Sequence, residues 1–425
     1  MKGVILAAGE GKRLHPLTLT RPKQTLPVAG DPLLEVILNG FKEAGIRKAL
    51  LIVGHFKEKI IELFGDGEAL GLKLEYVAQP EVLGTANAIG LAEDFADGEN
   101  FVVTNGDVLT SPYNYSKVIE YHAKKKSEAT IGLARVEDPS LYGVVEFDNK
   151  QRITSITEKP KPDDVKSKLA SSGIMVLSSD IFDVIKRTPQ SRRNEYEITD
   201  SIQIMIKENK SVYGCLLSDF WIDIGRPWDL LKANKILLNE RDLKVEGKVE
   251  SGAVLIGSVG VKLGAIVRSG SYIEGPSLVD EEADIGPNCY IRPSTYVGKK
   301  CRIGNACELK NSIILDRTHI AHLSYVGDSI IGENANFGAG TITANLRLDE
   351  KTIPFTLKGV RVDSGRRKLG VIMGDGVKTG IGVMIMPGLK IGPNSMIDPN
   401  LTVWEDVPPN EHLRSQKVSK DWKSR

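Results

Sequence analysis

Residues 283–309 read ADIGPNCYIRPSTYVGKKCRIGNACEL, and an aliphatic side chain returns at Ile285, Ile291, Val297, Ile303 and Leu309. Two positions ahead of each stands a small residue: Ala283, Cys289, Thr295, Cys301 and Cys307. Neither the 3.6-residue period of a helix nor the alternation of a strand repeats every six residues. A coil with flat faces of one hexad each does, because each face stacks on the one below and buries the same column. Outward from this stretch, the column runs back through Val279, Ile273, Val267, Val261 and Leu255 to Val249, and forward to Leu315. It resumes at Ile385, Ile391, Ile397 and Val403, after LRLDEKTIPFTLKGVRVDSGRRKLG (346–370) has broken the period. That break reads as a loop leaving the coil. Three of the four cysteines thereby become small inward residues, and with no CxxC pair neither zinc nor redox chemistry is signalled. Such a solenoid needs its ends and faces covered, usually by self-association.

Ahead of the coil the pattern differs. GVILAA, KALLIVG, LKLEYVA and NFVVTNGD read as strands buried on both faces, alternating with amphipathic segments. In DPLLEVILNGFKEAG (31–45), Asp31 suits the helix N-cap, Pro32 the first helical position and Gly45 the stop. The result is an α/β fold with a largely parallel sheet. The helical pattern PWDLLKANKILLNERD (227–242) then closes this part. We expect domains at 1–226 and 246–412, a linker helix at 227–245 and a tail at 413–425. With 425 residues, 26% charged and a formal net charge of +1, the chain favours neither nucleic acid nor an anionic membrane as partner. No segment approaches the roughly 18 apolar residues of a membrane span, and the N-terminus lacks a signal-peptide core. A cytoplasmic enzyme with free thiols is expected.

LAAGEGKRLHPLTLTRPKQTLP (6–27) follows the first strand, where α/β sheets bind ligands. It is not a GxxxxGK loop, since Leu6 stands where the first Gly would be. Gly9 and Gly11 still let backbone amides approach phosphates, and Arg13 and Lys23 supply cations for a triphosphate. The stretch resembles the signature of the sugar-1-phosphate nucleotidylyltransferases. Further blocks follow in that family's order: QPEVLGTANAI (79–89), NGD (105–107), YGVV (142–145), EKP (158–160), SGI (172–174) and WIDIG (221–225). The resemblance implies a Rossmann-like domain with a mixed, mainly parallel sheet. It also implies nucleotide contacts at Leu6, Ala8, Gly9, Gly11, Gln79, Gly84 and Thr85. Gln79 would read the pyrimidine edge, and Arg13 and Lys23 would act in catalysis. Asp107 and Asp223 would hold Mg²⁺, and Gly143, Glu158, Lys159 and Gly173 would take the sugar phosphate. The reaction that the resemblance implies is attack by a sugar-1-phosphate on the α-phosphorus of UTP or dTTP, releasing pyrophosphate.

THIAHLSYVGDSIIGENANFGAGTITANLRLDEK (318–351), with the residues before it, resembles the acetyltransferase half of the bifunctional enzymes that make UDP-N-acetylglucosamine. That resemblance implies a left-handed coil packed as a homotrimer. It sets His322 as general base and Arg292, Lys310, Tyr325, Asn336 and Lys351 at the sugar phosphate. Ala339 and Asn345 would lie near acetyl-CoA. An imidazole with pKa near 6.5 can take the proton that an attacking amine must lose, whereas His319 has no such match. Leu346 replaces the family's usual aromatic, and the 352–370 loop is longer than in the bacterial form. WIDIG places Asp where the bacterial enzyme has Asn, so the combination resembles the archaeal type. Two other readings exist. One is a single-activity nucleotidylyltransferase of the ADP-glucose or GDP-mannose kind with a structural coil. The other is a non-catalytic subunit of a translation-factor exchange complex, against which Arg13, Lys23, Asp107 and Asp223 argue.

Overall fold

The structure, a computed structural model, describes residues 1–415; the remainder of the expected tail, 416–425, lies outside the described residues. The chain divides into two compact units. One comprises Met1–Glu10, Pro22–Thr25 and Pro32–Ile224; the other comprises Gly11–Arg21, Leu26–Asp31 and the chain from Gly225 onward.

The first unit is built on a mixed sheet. Lys2–Ala7 lies between Phe101–Asn105 and Lys48–Val53, with Lys73–Ala78 beyond, all parallel. Their aliphatic runs bury both faces: Val4, Ile5, Leu51, Ile52 and Val102 are all fully covered. On the other side Leu169–Leu177 runs antiparallel to Phe101–Asn105 and to Ala129–Arg135, which pairs in parallel with Val212–Leu216, while the antiparallel pair Gly143–Phe147 and Ile153–Glu158 meets it at Ala170 and Val144. The helix over 31–45 forms, but its start differs from expectation. It spans Leu33–Glu43 with Pro32 as N-cap (ψ 138°), while Gly45, at φ +83°, follows its end. Asp31 does not cap because its carboxylate accepts from Arg241, an ion pair in the second unit.

From Gly225 onward the second unit runs through the helix Pro227–Glu240 into a three-faced parallel β-helix, whose faces hold nine, eight and seven strands among the described residues. Val261, Val267, Ile273, Val279, Ile285, Ile291, Val297, Ile303 and Leu309 form the inward column, and none is exposed. The strict six-residue spacing fails at Leu315. Val279 stacks on Val297 after eighteen residues, but Val297 stacks on Ile314 after seventeen, and Ile314 on Ile331 after seventeen again. The shortened corners are made at Asn311 (φ 45°) and Asp328 (φ 50°), left-handed positions that Asn and Asp tolerate. The expected loop at 346–370 is itself folded. Pro354–Leu357 pairs with Val360–Asp363, and the fully buried Phe355 packs edge-on against Trp228 at 5.5 Å between ring centres. No helix among the described residues is long and apolar enough to cross a membrane.

All four cysteines are free and buried. Burial pushes the Cys289 and Cys301 thiols up to about 12, so almost no thiolate exists at neutral pH. We expect the native protein to react with less than one equivalent of a thiol-specific disulfide reagent, and with four in denaturant. Rapid native labelling of a coil cysteine would contradict the inward column.

Candidate functional site

In the first unit the turn Asn105-Gly106-Asp107 sits on the end of the first strand. Gly106 donates its amide to the Leu6 carbonyl at 2.8 Å, and a Cβ on Gly106 would stand 2.8 Å from that oxygen. Past the turn, Val108–Thr110 runs antiparallel to Trp221–Asp223, with Asp223 opposite Val108. Ile224 donates to the Asp107 carbonyl at 2.9 Å. This ladder sets the backbones of Asp107 and Asp223 on neighbouring rungs. Lys23, only 6% exposed, holds Asp107 Oδ2 at 2.5 Å. Among the described residues no group of three or more His, Cys, Asp or Glu is arranged for a metal. Two carboxylates on neighbouring rungs fit Mg²⁺ nonetheless, since that ion takes one or two protein carboxylates and fills its octahedron from water and substrate phosphate.

Gln79 is buried, and its Nε2 donates to Asn87 Oδ1 at 2.8 Å. Gly84 has φ +112°, and a Cβ there would lie 2.5 Å from the Tyr196 carbonyl oxygen. Next to it, Thr85 Oγ1 accepts the Ile198 amide at 2.9 Å. Gly143 stands opposite Glu158, which pairs with Lys159 at 3.4 Å and Arg193 at 3.5 Å. Arg193 also reaches Glu197 at 2.9 Å. Burial, then the neighbouring Glu158 charge, raises the Glu197 and Asp200 carboxyls above their ordinary range. Gly173 abuts the Asn105 amide, where a Cβ would come within 2.6 Å, and Trp221 Nε1 donates to the Ser172 carbonyl at 2.8 Å. The fold therefore gathers the NGD, SGI and WIDIG blocks at one place. Sequence reasoning missed Asn87, Arg193, Glu197 and Asp200. Asn87 lay inside a quoted block. The rest lie in RRNEYEITD (192–200), whose charge density resembles any solvated loop.

Ala8 packs against Gly54, whose Cβ would sit 2.6 Å from the Ala8 carbonyl oxygen, and no atom crowds Gly9. Gly11 and Arg13 belong to the second unit. Gly11 is left-handed at φ 67°, and the exposed Arg13 lays its guanidinium over Gly225, where a Cβ would be 3.0 Å away.

Along the coil, Glu308–Lys310 and Tyr325–Gly327 are stacked strands of one face. Lys310 Nζ donates to Asp328 Oδ2 at 3.0 Å, Asn345 to the same oxygen at 2.5 Å, and Asn311 to Oδ1 at 2.7 Å. Asn345, expected near acetyl-CoA, also donates to the Tyr325 hydroxyl at 3.1 Å. Burial, then the Asp328 charge, raises the Tyr325 phenol. Arg292 pairs with Glu308 at 3.0 Å and lies 5.7 Å from the Tyr290 ring centre. His322 ends the strand His319–His322 with its side chain exposed, and among the described residues its ring has no hydrogen-bond partner. Asn336, Ala339 and Lys351 make no hydrogen bond to the Lys310–Tyr325 network among the described residues. Asp328 and Glu308, which carry no family signal, were missed.

Comparison with known proteins gives these centres a class. Residues 2–240 match the nucleotidyl transferase family, and residues 273–386 match the GMPPB C-terminal domain family. The chain is 43% identical over 381 residues to the "Bifunctional protein GlmU" of Methanococcus maripaludis, covering 90% of this chain and 89% of that protein. It is 39% identical over 388 residues to a "Bifunctional sugar-1-phosphate nucleotidylyltransferase/acetyltransferase" of Sulfurisphaera tokodaii, covering 90% and 92%. A solved structure of a putative glucose-1-phosphate thymidylyltransferase from Bacillus anthracis aligns with TM-score 0.51 and 33% identity. It covers 58% of this chain and 98% of that one. The fold is that of a nucleotidyltransferase domain joined to a β-helix. More narrowly, the chain belongs to the family of bifunctional sugar-1-phosphate nucleotidylyltransferase/acetyltransferases.

Gly84→Ala forces a Cβ into the Tyr196 backbone at a φ that costs an L-residue about 1–3 kcal/mol. We expect a lower melting temperature for the first unit and reduced pyrophosphate release, with acetyl transfer retained. An unchanged melting profile would show that the Tyr196 contact is not made in solution.

Proposed function

We propose that the chain acetylates glucosamine-1-phosphate from acetyl-CoA in its β-helix and transfers UMP, or dTMP, to a sugar-1-phosphate in its first domain. The observation that carries this reading is the pair of separate charged centres. One is Lys23–Asp107–Asp223; the other is the Lys310–Asp328–Asn345–Tyr325 network, on a coil that also carries the exposed imidazole of His322. Domains at 1–226 and 246–412, joined by a linker over 227–245, fit this division of labour.

In the first domain Arg13 and Lys23 neutralise the triphosphate while backbone amides near Ala8, Gly9 and Gly11 face it. Gln79 and Thr85 hold the base and Gly84 leaves it room. Glu158, Lys159, Gly143 and Gly173 seat the sugar phosphate for in-line attack. No protein nucleophile is required, because the catalytic work is alignment and charge neutralisation. Asp107 and Asp223 would hold Mg²⁺, which supplies charge at the phosphates when bound.

In the second domain Arg292, Lys310, Tyr325, Asn336 and Lys351 bind the amino-sugar phosphate. His322 accepts the amine proton as nitrogen attacks the thioester carbonyl, the carbon–sulfur bond then breaks, coenzyme A leaves as its thiol, and Ala339 and Asn345 lie towards acetyl-CoA. A homotrimer is supported by Ile342 and Met384, exposed apolar side chains stacked in register on one face. A cytoplasmic setting fits these substrates. The match of residues 273–386 to the GMPPB C-terminal domain family supports a second reading, in which the coil only scaffolds a single nucleotidylyltransferase.

Asp107→Ala and Asp223→Ala are each expected to abolish pyrophosphate release while leaving thiol release from acetyl-CoA near normal. Wild-type turnover by both at saturating Mg²⁺ would overturn their assignment. His322→Ala should lose acetylation by about 10²- to 10⁴-fold, the usual cost of a positioned base, and should spare nucleotidyl transfer. His319→Ala should change neither. No thiol release by the wild type with any amino-sugar phosphate would leave the scaffold reading.

A further inference from the structure

The two coil cations that match the family pattern are already compensated, Arg292 by Glu308 and Lys310 by Asp328. They nevertheless line a cleft of about 580 Å³ within the second unit, and the other cations of that cleft come from outside the coil. Lys232 and Lys235 project from the linker helix Pro227–Glu240, and Arg366 from the folded excursion. Three residues apart, Lys232 and Lys235 share one helix face. Among the described residues none of these three has a carboxylate partner. Glu274, also at the cleft, accepts the Tyr290 hydroxyl at 3.0 Å.

Their placement is fixed rather than incidental. Asn234, fully buried between the two lysines, donates to the Ser294 carbonyl at 2.9 Å and accepts the Ala29 amide at 2.9 Å. Ser294 is itself a wall of the cleft. The helix is thus pinned to the coil two residues from Arg292. Arg366 is held through its own backbone: its carbonyl accepts the Ile353 amide at 2.8 Å, and its amide donates to Ser364 Oγ at 3.1 Å. The same excursion carries Phe355, which packs on Trp228 of the linker helix. Three chain segments distant in sequence converge on one positively charged wall.

We propose that Lys232, Lys235 and Arg366 form an anion-binding wall that receives the phosphate monoester of the acetyl acceptor beside Arg292 and Lys310. The proposal rests on the acetyltransferase reading of the coil and extends it. Arg292 and Lys310 begin in ion pairs, so the net attraction for a dianion comes from the linker helix and the excursion. The wall selects phosphorylated amino sugars over free ones and acts in binding, not in proton transfer. It also gives the excursion a function: Arg366 faces the cleft while its neighbour Arg367 pairs with Glu350.

The test compares wild type with Lys232→Gln/Lys235→Gln, Arg366→Gln and the charge-retaining Lys232→Arg/Lys235→Arg. In the thiol-release assay, KM for glucosamine-1-phosphate should rise roughly tenfold or more in each neutral variant, as expected for losing charged hydrogen bonds. kcat and the KM for acetyl-CoA should hold, and the arginine variant should restore affinity. The preference for glucosamine-1-phosphate over glucosamine should fall in proportion. An unchanged KM and preference in an active enzyme would overturn the wall. Calorimetric titration with glucosamine-1-phosphate and with inorganic phosphate needs no turnover and separates the two ideas. Binding weakened in the glutamine variants, with no acetylation by wild type, would sink the acetyltransferase reading and leave the wall standing. Equal binding by all variants would sink the wall alone.

Discussion

Everything in the second unit depends on buried columns of aliphatic side chains, one on each of three faces, that must meet their counterparts one turn later. In a parallel coil each strand bonds only to the strands above and below, so one residue gained or lost would turn every following side chain inside out. The chain loses a residue twice without that result, because each loss falls at a corner, at Asn311 and at Asp328, and the inward column continues at Ile314 and Ile331. The second shortened corner carries Asp328, which lines the cleft at only 3% exposure. A buried carboxylate is costly unless its charge and lone pairs are met, and here Lys310, Asn311 and Asn345 all donate to it. The polar centre of the coil is thus a consequence of its register. The two short turns are where the sequence leaves its repeat, and they are where chemistry-bearing side chains collect.

The column also serves the loop that follows the first strand. Arg21 donates to Glu333 at 2.5 Å and to Asp375 at 2.7 Å, and Thr20 donates to Asp375 at 2.6 Å. Burial alone would lower the Arg21 pKa, but the charges of Asp375 and Glu333 outweigh it and hold the guanidinium protonated. Glu333 and Asp375 stand on successive turns, Asp375 accepting the Glu333 amide at 2.8 Å. The segment Gly11–Arg21, which carries Arg13, is therefore part of the coil's compact unit although it lies in the nucleotidylyltransferase signature.

Much of this was legible beforehand, and what escaped has a common cause. The hexad period and the strand–helix alternation are local patterns, so they announced both architectures. Family blocks identified Asp107 and Asp223, but only the ladder of Val108–Thr110 with Trp221–Asp223 makes them neighbours across more than a hundred residues. Leu315 was misplaced because a one-residue slip is invisible while aliphatic residues occupy 313, 314 and 315 alike. Asp31 looked like a cap because its partner, Arg241, lies far along the chain. Lys232 and Lys235 lie within the helical pattern PWDLLKANKILLNERD (227–242). Nothing local reveals that Asn234 between them is buried against Ser294.

The two centres share an electrostatic design. Lys23 rests on Asp107, Lys310 on Asp328 and Arg292 on Glu308. Each of these three cations is already positioned by a carboxylate, which limits the side-chain entropy left to lose when an anion binds. Positioning by a carboxylate also cancels the long-range field, so such a cation orients an anion better than it attracts one. Attraction then has to come from cations without carboxylate partners, and the cleft beside Arg292 draws them from the linker helix and the excursion rather than from the coil. In a coil whose corners recur every turn, an added charge would lie over similar corners above and below it. Elements packed against the outside can place charge at one turn alone.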